Sequence, residues 1–178
     1  MENIVLVGRL GAGKTSFAKL LHERTGYAVY EVGDVVREEC ERNRQGKTPL
    51  EYAIDMFGKF GGEYFVAKLF REVTGKDSNI IVGIRSLAEL RYLRSRLNDI
   101  VIIAIKADRE IRKQRYDICK KLKPDNSDFD ERERVENGWG VEDVMKQASI
   151  VVENNTMDYG DLVNSAEEVL KIILEKGK

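Results

Sequence analysis

Residues 8–15 read Gly8-Arg9-Leu10-Gly11-Ala12-Gly13-Lys14-Thr15 and fill every fixed position of G-x-x-x-x-G-K-[ST]. The chemistry open to such a run is phosphate binding. Glycines let the backbone curl with its N–H groups turned inward, and these groups, with the N-terminus of a following helix, hold phosphate oxygens. Gly8, Gly11, Ala12, Gly13, Lys14, Thr15 and Ser16 form the expected phosphate-binding set. Lys14 reaches the outer phosphates, and the Thr15 hydroxyl is suited to ligate Mg²⁺.

The motif has meaning only between a strand and a helix, and the flanks supply both. Ile4-Val5-Leu6-Val7 is a short apolar run of buried-strand type. Phe17, Leu20 and Leu21 follow at helical spacing. Further strands are expected at 28–32, 79–84, 100–105 and 149–152. Helices are expected at 34–42, from Pro49 to about Thr74, from Ser86 to about Leu97, from Asp108 to about Lys120, through Arg134, over 141–148 and over 161–175. Gly58, Gly61 and Gly62 should interrupt the second of these, and Gly138-Trp139-Gly140 should break the one that runs through Arg134. Thr48-Pro49-Leu50-Glu51 and Ser86-Leu87-Ala88-Glu89 are capping boxes. Residues 121–130 read as an exposed, mobile loop. Alternating strands and helices imply an α/β fold with a five-stranded parallel sheet covered on both faces.

Ligands of such sheets bind at the carboxyl ends of the strands. Two turns there carry arginine: Gly33-Asp34-Val35-Val36-Arg37 and Gly83-Ile84-Arg85-Ser86. The planar guanidinium donates two parallel hydrogen bonds to a phosphate and stays charged at any working pH. The plainer reading pairs these arginines with glutamates such as Glu38 or Glu89. Between Asp108 and Arg134 stand Arg109, Arg112, Lys113, Arg115, Lys120, Lys121, Lys123, Arg132 and Arg134. A basic segment over a phosphate site suits a closing lid. Its plainer reading is a solvated helix, since Glu110, Asp117, Glu131 and Glu133 interleave. His22 and Trp139 read more simply as a surface residue and a packing anchor.

The 178 residues carry 30 Lys+Arg against 31 Asp+Glu. Near-neutral charge without a basic run argues against a nucleic-acid partner. No apolar stretch approaches the ~20 residues of a membrane span, and no signal pattern opens the chain. Cys40 and Cys119 are far apart and fit neither a zinc site nor a disulfide framework. A cytoplasmic protein, monomeric or a small homo-oligomer, is expected.

The phosphate loop, the Gly33-Asp34-x-x-Arg37 turn, the Gly83-Ile84-Arg85 turn and the late arginine-rich segment together resemble the nucleoside-monophosphate-kinase group of P-loop proteins. Adenylate kinase and dephospho-CoA kinase are the similar named types. Asp34-Val35-Val36-Arg37-Glu38-Glu39, Gly83–Glu89 and Phe129-Asp130-Glu131-Arg132-Glu133-Arg134 resemble an archaeal adenylate-kinase-related family over nearly the whole chain. The resemblance implies ATP and Mg²⁺. It implies that Arg37 and Arg85 hold the acceptor phosphate and that Asp34 lies near the Mg²⁺ shell. Arg112 and Arg115 would be lid arginines on the donor, and Arg132 and Arg134 would complete the phosphoryl clamp. Asn154-Asn155-Thr156 would lie beside the donor base. Residues 34–75 would be the acceptor-binding insertion and 109–137 the lid of a single domain.

In that family the third strand usually ends in Asp-Gly, whereas this chain has Val82-Gly83. Either Asp34 serves the metal shell alone, or Asp108 assists, or transfer is weak. The expected activity is transfer of the ATP γ-phosphoryl to a nucleoside monophosphate, AMP first, or a similar small phosphorylated acceptor. The alternatives are a weakly catalytic or non-catalytic ATP/AMP sensor, and a dephospho-CoA-type kinase acting on an alcohol with Asp34 as base.

Overall fold

Apolar strands flanked by helices bury most surface when the sheet is parallel and covered twice, and the chain takes this solution. A computed structural model describes residues 3–43, 46–71, 78–122 and 128–176. Strands β1 (Asn3–Val7), β2 (Ala28–Glu31), β3 (Asn79–Val82), β4 (Ile100–Lys106) and β5 (Ile150–Glu153) form one sheet. Its order is β2-β3-β1-β4-β5, and every pairing is parallel.

The pleat sends alternate residues to opposite faces. Ile4 and Leu6 of β1 join Phe17 and Leu21 of α1 (Lys14–Thr25) and Leu162 and Ala166 of α9 (Tyr159–Lys176) in one apolar cluster. Val5 and Val7 face the other cluster. That cluster is built by α2 (Val32–Asn43), α3 (Pro49–Phe60), α4 (Tyr64–Leu69), α5 (Leu87–Arg94) and α8 (Val141–Met145). Leu6 and Phe17 are fully buried, and each such side chain stabilises the fold by roughly 1.5–3 kcal/mol.

Local signals place the helices. Both capping boxes form, Thr48 with Glu51 and Ser86 with Glu89. α3 runs through Gly58 and ends at Gly61, whose φ of +90° an L side chain rarely adopts. Its expected continuation toward Thr74 becomes the separate α4, and residues 72–77 lie outside the described residues. After α6 (Arg109–Leu122), the loop expected at 121–130 falls partly on 123–127, also outside them. α7 (Phe129–Trp139) continues through Gly138, and the break comes at Gly140 with φ +99°. A lone glycine costs an otherwise packed helix only about 1 kcal/mol, less than the burial it would forfeit by stopping.

Candidate phosphoryl-transfer site at the strand ends

The phosphate loop leaves β1 and enters α1, and its glycines are required by close backbone neighbours. A Cβ on Gly8 would lie 2.3 Å from the Ile105 carbonyl oxygen, and one on Gly11 2.3 Å from that of Arg112. Gly13, with φ +99°, would bring a Cβ to 2.5 Å from Asn154 Nδ2. The loop is thus wedged against the ends of β4 and β5 and the first turn of α6.

Three side chains hold it there through its carbonyls. Arg112, 2% exposed, donates from Nη1 to Leu10 O at 3.1 Å and from Nε to Ala107 O at 3.0 Å. Its Nη2 pairs with Glu133 of α7 at 2.5 Å. Arg115 donates to Ala12 O at 3.4 Å and to Asn154 Oδ1 at 3.0 Å, and also to Thr156 O. Buried Asn154 donates to Ala12 O at 2.9 Å. Asn155 Oδ1 accepts from the Asp108 N–H at 2.7 Å. The expected lid and donor-loop residues are therefore brought together with the phosphate loop, bound to its backbone and to the neighbouring strand ends.

Lys14 donates to Gly8 O at 2.8 Å and to Arg9 O at 2.9 Å. Burial is the largest influence on its ammonium and pulls its pKa down to about 8. Glu136 and Glu31 work against the fall, while Arg85 and Arg132 add to it. Thr15 Oγ1 lies 3.3 Å from Glu31 Oε2. Glu31 ends β2 in register with Val82 of β3. Paired residues on adjacent strands present their side chains to the same face. A carboxylate thus stands one strand away from the apolar Val82, which is fully buried. Sequence reasoning missed Glu31, although the strand-end rule reaches it two residues before the Gly33 turn.

The arginines expected at the acceptor phosphate are held by carboxylates. Arg37 Nη2 pairs with Asp34 at 2.5 Å, and both are exposed. A Cβ on Gly33 would sit 3.3 Å from Arg37 Nη1 and 3.6 Å from Glu31 Oε1, so this glycine leaves room for both side chains. Arg85 Nη1 donates to Gly83 O at 2.7 Å, and its Nε pairs with Glu136 of α7 at 3.0 Å. Arg132 Nε lies 3.4 Å from the same Glu136 oxygen. Glu136 is 4% exposed. Burial works to raise its pKa, but Arg85, Arg132 and Lys14 outweigh it and hold the carboxyl below its ordinary range. Burial likewise opposes the Arg85 charge, and Glu136 and Glu89 more than restore it.

Glu133 and Glu136 are the second omission of sequence reasoning. Glutamates in an arginine-rich helix read as solvated, yet these two, three residues apart on one face, point inward. Arg134 is exposed, as are Asp108 and His22. Trp139 stacks on Phe57 at 4.9 Å and 15°, the packing anchor of the plainer reading.

No family model matches the chain. Shikimate kinase from Acinetobacter baumannii, in complex with shikimate, superposes with a TM-score of 0.64 at 21% identity, covering 99% of this chain and 94% of that one. Shikimate kinase from Aquifex aeolicus gives 0.54 at 20% identity, covering 98% of each. The fold is that of the P-loop kinases. A UPF0200 protein of Pyrobaculum aerophilum is 33% identical over 180 residues, covering 98% of this chain and 99% of that protein. One of Methanopyrus kandleri is 32% identical over 180 residues, covering 96% and 90%. The chain belongs to the UPF0200 family. Among the described residues, no helix is long and apolar enough to cross a membrane.

Proposed function

We propose that this protein is a small nucleotide kinase that moves the γ-phosphoryl of ATP to a nucleoside monophosphate, with AMP the favoured acceptor. The observation that carries the reading is the gathering, at the carboxyl ends of the strands, of Lys14, the Thr15–Glu31 pair, and Arg85 and Arg132 on Glu136. Loop N–H groups and Lys14 hold the donor phosphates, with Lys14 exchanging its two carbonyl contacts for phosphate oxygens. Arg37 and Arg85 hold the acceptor, and Arg132 stabilises charge on the transferred group, with exposed Arg134 joining it as the segment over 109–137 closes. Residues 34–75 then form the acceptor side of one domain working in the cytoplasm.

An acceptor phosphate oxygen is already anionic, so positioning and charge neutralisation suffice and no strong base is needed. An alcohol acceptor would ask Asp34 to take a proton, and Asp34 is tied to Arg37. That pairing supports the phosphorylated acceptor over the dephospho-CoA-type reading. In transfer, an acceptor oxygen bonds to the γ-phosphorus as the bond to the β–γ bridging oxygen breaks, and the electron pair leaves with ADP.

The donor set fits Mg²⁺. Thr15, Glu31 and Asp34 are hard oxygen donors, and Mg²⁺ takes one or two carboxylates and completes its shell with water and substrate phosphates. When bound, Mg²⁺ would neutralise phosphate charge and polarise the phosphoryl oxygens.

Val82 favours a second reading, a nucleotide sensor with little turnover, because an apolar side chain cannot orient metal-bound water. Phosphorus NMR with Mg·ATP and AMP, CMP, dephospho-CoA or no acceptor separates the readings. A new phosphoryl product with AMP is expected. Nucleotide binding without turnover for any acceptor would leave the sensor, and product with dephospho-CoA alone would make the acceptor an alcohol.

A further inference from the structure

The two inward glutamates of α7 hold different kinds of partner. Glu133 closes a pair with Arg112, whose other nitrogens are bound to Leu10 O and Ala107 O. This arrangement fixes the loop and leaves Arg112 little to offer a ligand. Glu136 instead gathers groups that all face the transfer point. Its Oε1 is 3.0 Å from Arg85 Nε and 3.4 Å from Arg132 Nε, and it is the strongest attraction acting on Lys14.

One buried carboxylate thus pairs with two arginines, Arg85 from the turn after β3 and Arg132 from α7, and its charge also reaches Lys14 of the phosphate loop. Guanidinium groups bind carboxylate and phosphate with the same donor geometry. A second anion cannot enter beside Glu136 without like-charge repulsion in a poorly solvated place. Building on the reading of this cluster as the phosphoryl-transfer site, we infer that Glu136 stands in for a ligand's phosphate. Its carboxylate neutralises Arg85 and Arg132 in the ligand-free molecule and gives up that place when the phosphate arrives.

The consequence reaches beyond the site. Glu136 and Trp139 are one turn apart on α7, and Trp139 stacks on Phe57 of α3. A change at Glu136 thus takes place one turn from the chain's single tryptophan, which lies against the helix pair proposed to hold the acceptor, and should register in Trp139 emission.

Thermal unfolding of the full chain tests this, comparing wild type with Glu136→Gln in sodium chloride and in sodium phosphate at matched ionic strength. Glutamine keeps the shape and removes the charge. In chloride the variant should lose on the order of 10 °C in Tm, because the partly buried Arg85 and Arg132 lose the carboxylate charge they share. In phosphate it should regain most of that loss and change its tryptophan emission, while wild type gains far less. An equal response of both proteins to phosphate overturns the inference, since a merely structural glutamate has no anion-specific rescue. If Glu136→Gln does not fold in chloride, Glu136→Asp takes its place. Its shortened carboxylate should give a phosphate gain between the two, and a gain equal to wild type also overturns the inference. Rescue without transfer to any acceptor would keep Glu136 as the stand-in and refute the kinase reading. Transfer without rescue would do the reverse.

Discussion

The two halves of the strand-end site are built by opposite means. On the half proposed to take the donor, the phosphate loop is pinned through its own carbonyls: Arg112 on Leu10, Arg115 and Asn154 on Ala12. On the half proposed to take the acceptor, arginines are pinned by carboxylates: Arg37 by Asp34, Arg85 and Arg132 by Glu136. A carbonyl contact positions the loop without competing for its inward N–H groups. A carboxylate contact occupies the donors that a ligand phosphate would use. On the proposed reading, the donor half is ready before ligand arrives, whereas the acceptor half exchanges one anion for another. Substitutions on the two halves should fail differently.

The largest effect is expected at Lys14. Replacement by alanine removes the cation proposed to meet the donor phosphates, and transfer measured by coupled assay should fall by about 10³-fold. The fold should survive, because the Lys14 ammonium hydrogen-bonds to carbonyls of its own loop, Gly8 O and Arg9 O. Turnover equal to wild type would mean that the loop is not the donor site.

Arg112→Ala should act on stability first. It leaves Glu133 partly unpaired and frees Leu10 O, at a cost of about 3–5 kcal/mol in urea unfolding. A variant that instead unfolds like wild type but binds ATP poorly would make Arg112 a ligand group and erase the contrast between the halves.

Glu31→Gln sharpens the boundary. If Glu31 supports the metal next to Thr15, the Mg²⁺ concentration for half-maximal activity should rise roughly 10–100-fold, with unfolding little changed. An unaltered Mg²⁺ requirement would return that role to Asp34 alone.

What the sequence made legible follows the same division. The phosphate loop and both capping boxes are contiguous or three residues apart, so spacing alone defines them, and they form as expected. The parallel sheet is also local information, repeated strand by strand. Glu31 and Glu136 were not legible because their meaning lies in distant partners. Glu31 acquires its place through register with Val82, and Glu136 through Arg85, which a neighbouring glutamate seemed to satisfy. Glu89 does meet the Arg85 turn, but at its backbone N–H, at 2.7 Å. Val82 read alone shows only an apolar side chain, and the carboxylate of Glu31 beside it on β2 becomes visible through strand register.

The most direct test of the donor half is titration calorimetry of Mg·ATP into the protein at pH 8.5, in two buffers of different ionisation enthalpy. Ligand-free Lys14, with its pKa near 8, is mostly neutral at that pH. Bound phosphates favour the ammonium and raise the pKa. Binding should therefore take up about three-quarters of a proton by ordinary titration. The uptake should shrink toward pH 7, where Lys14 is already protonated. Absence of binding, or binding with the same heat in both buffers at pH 8.5, would contradict the claim that the triphosphate meets Lys14.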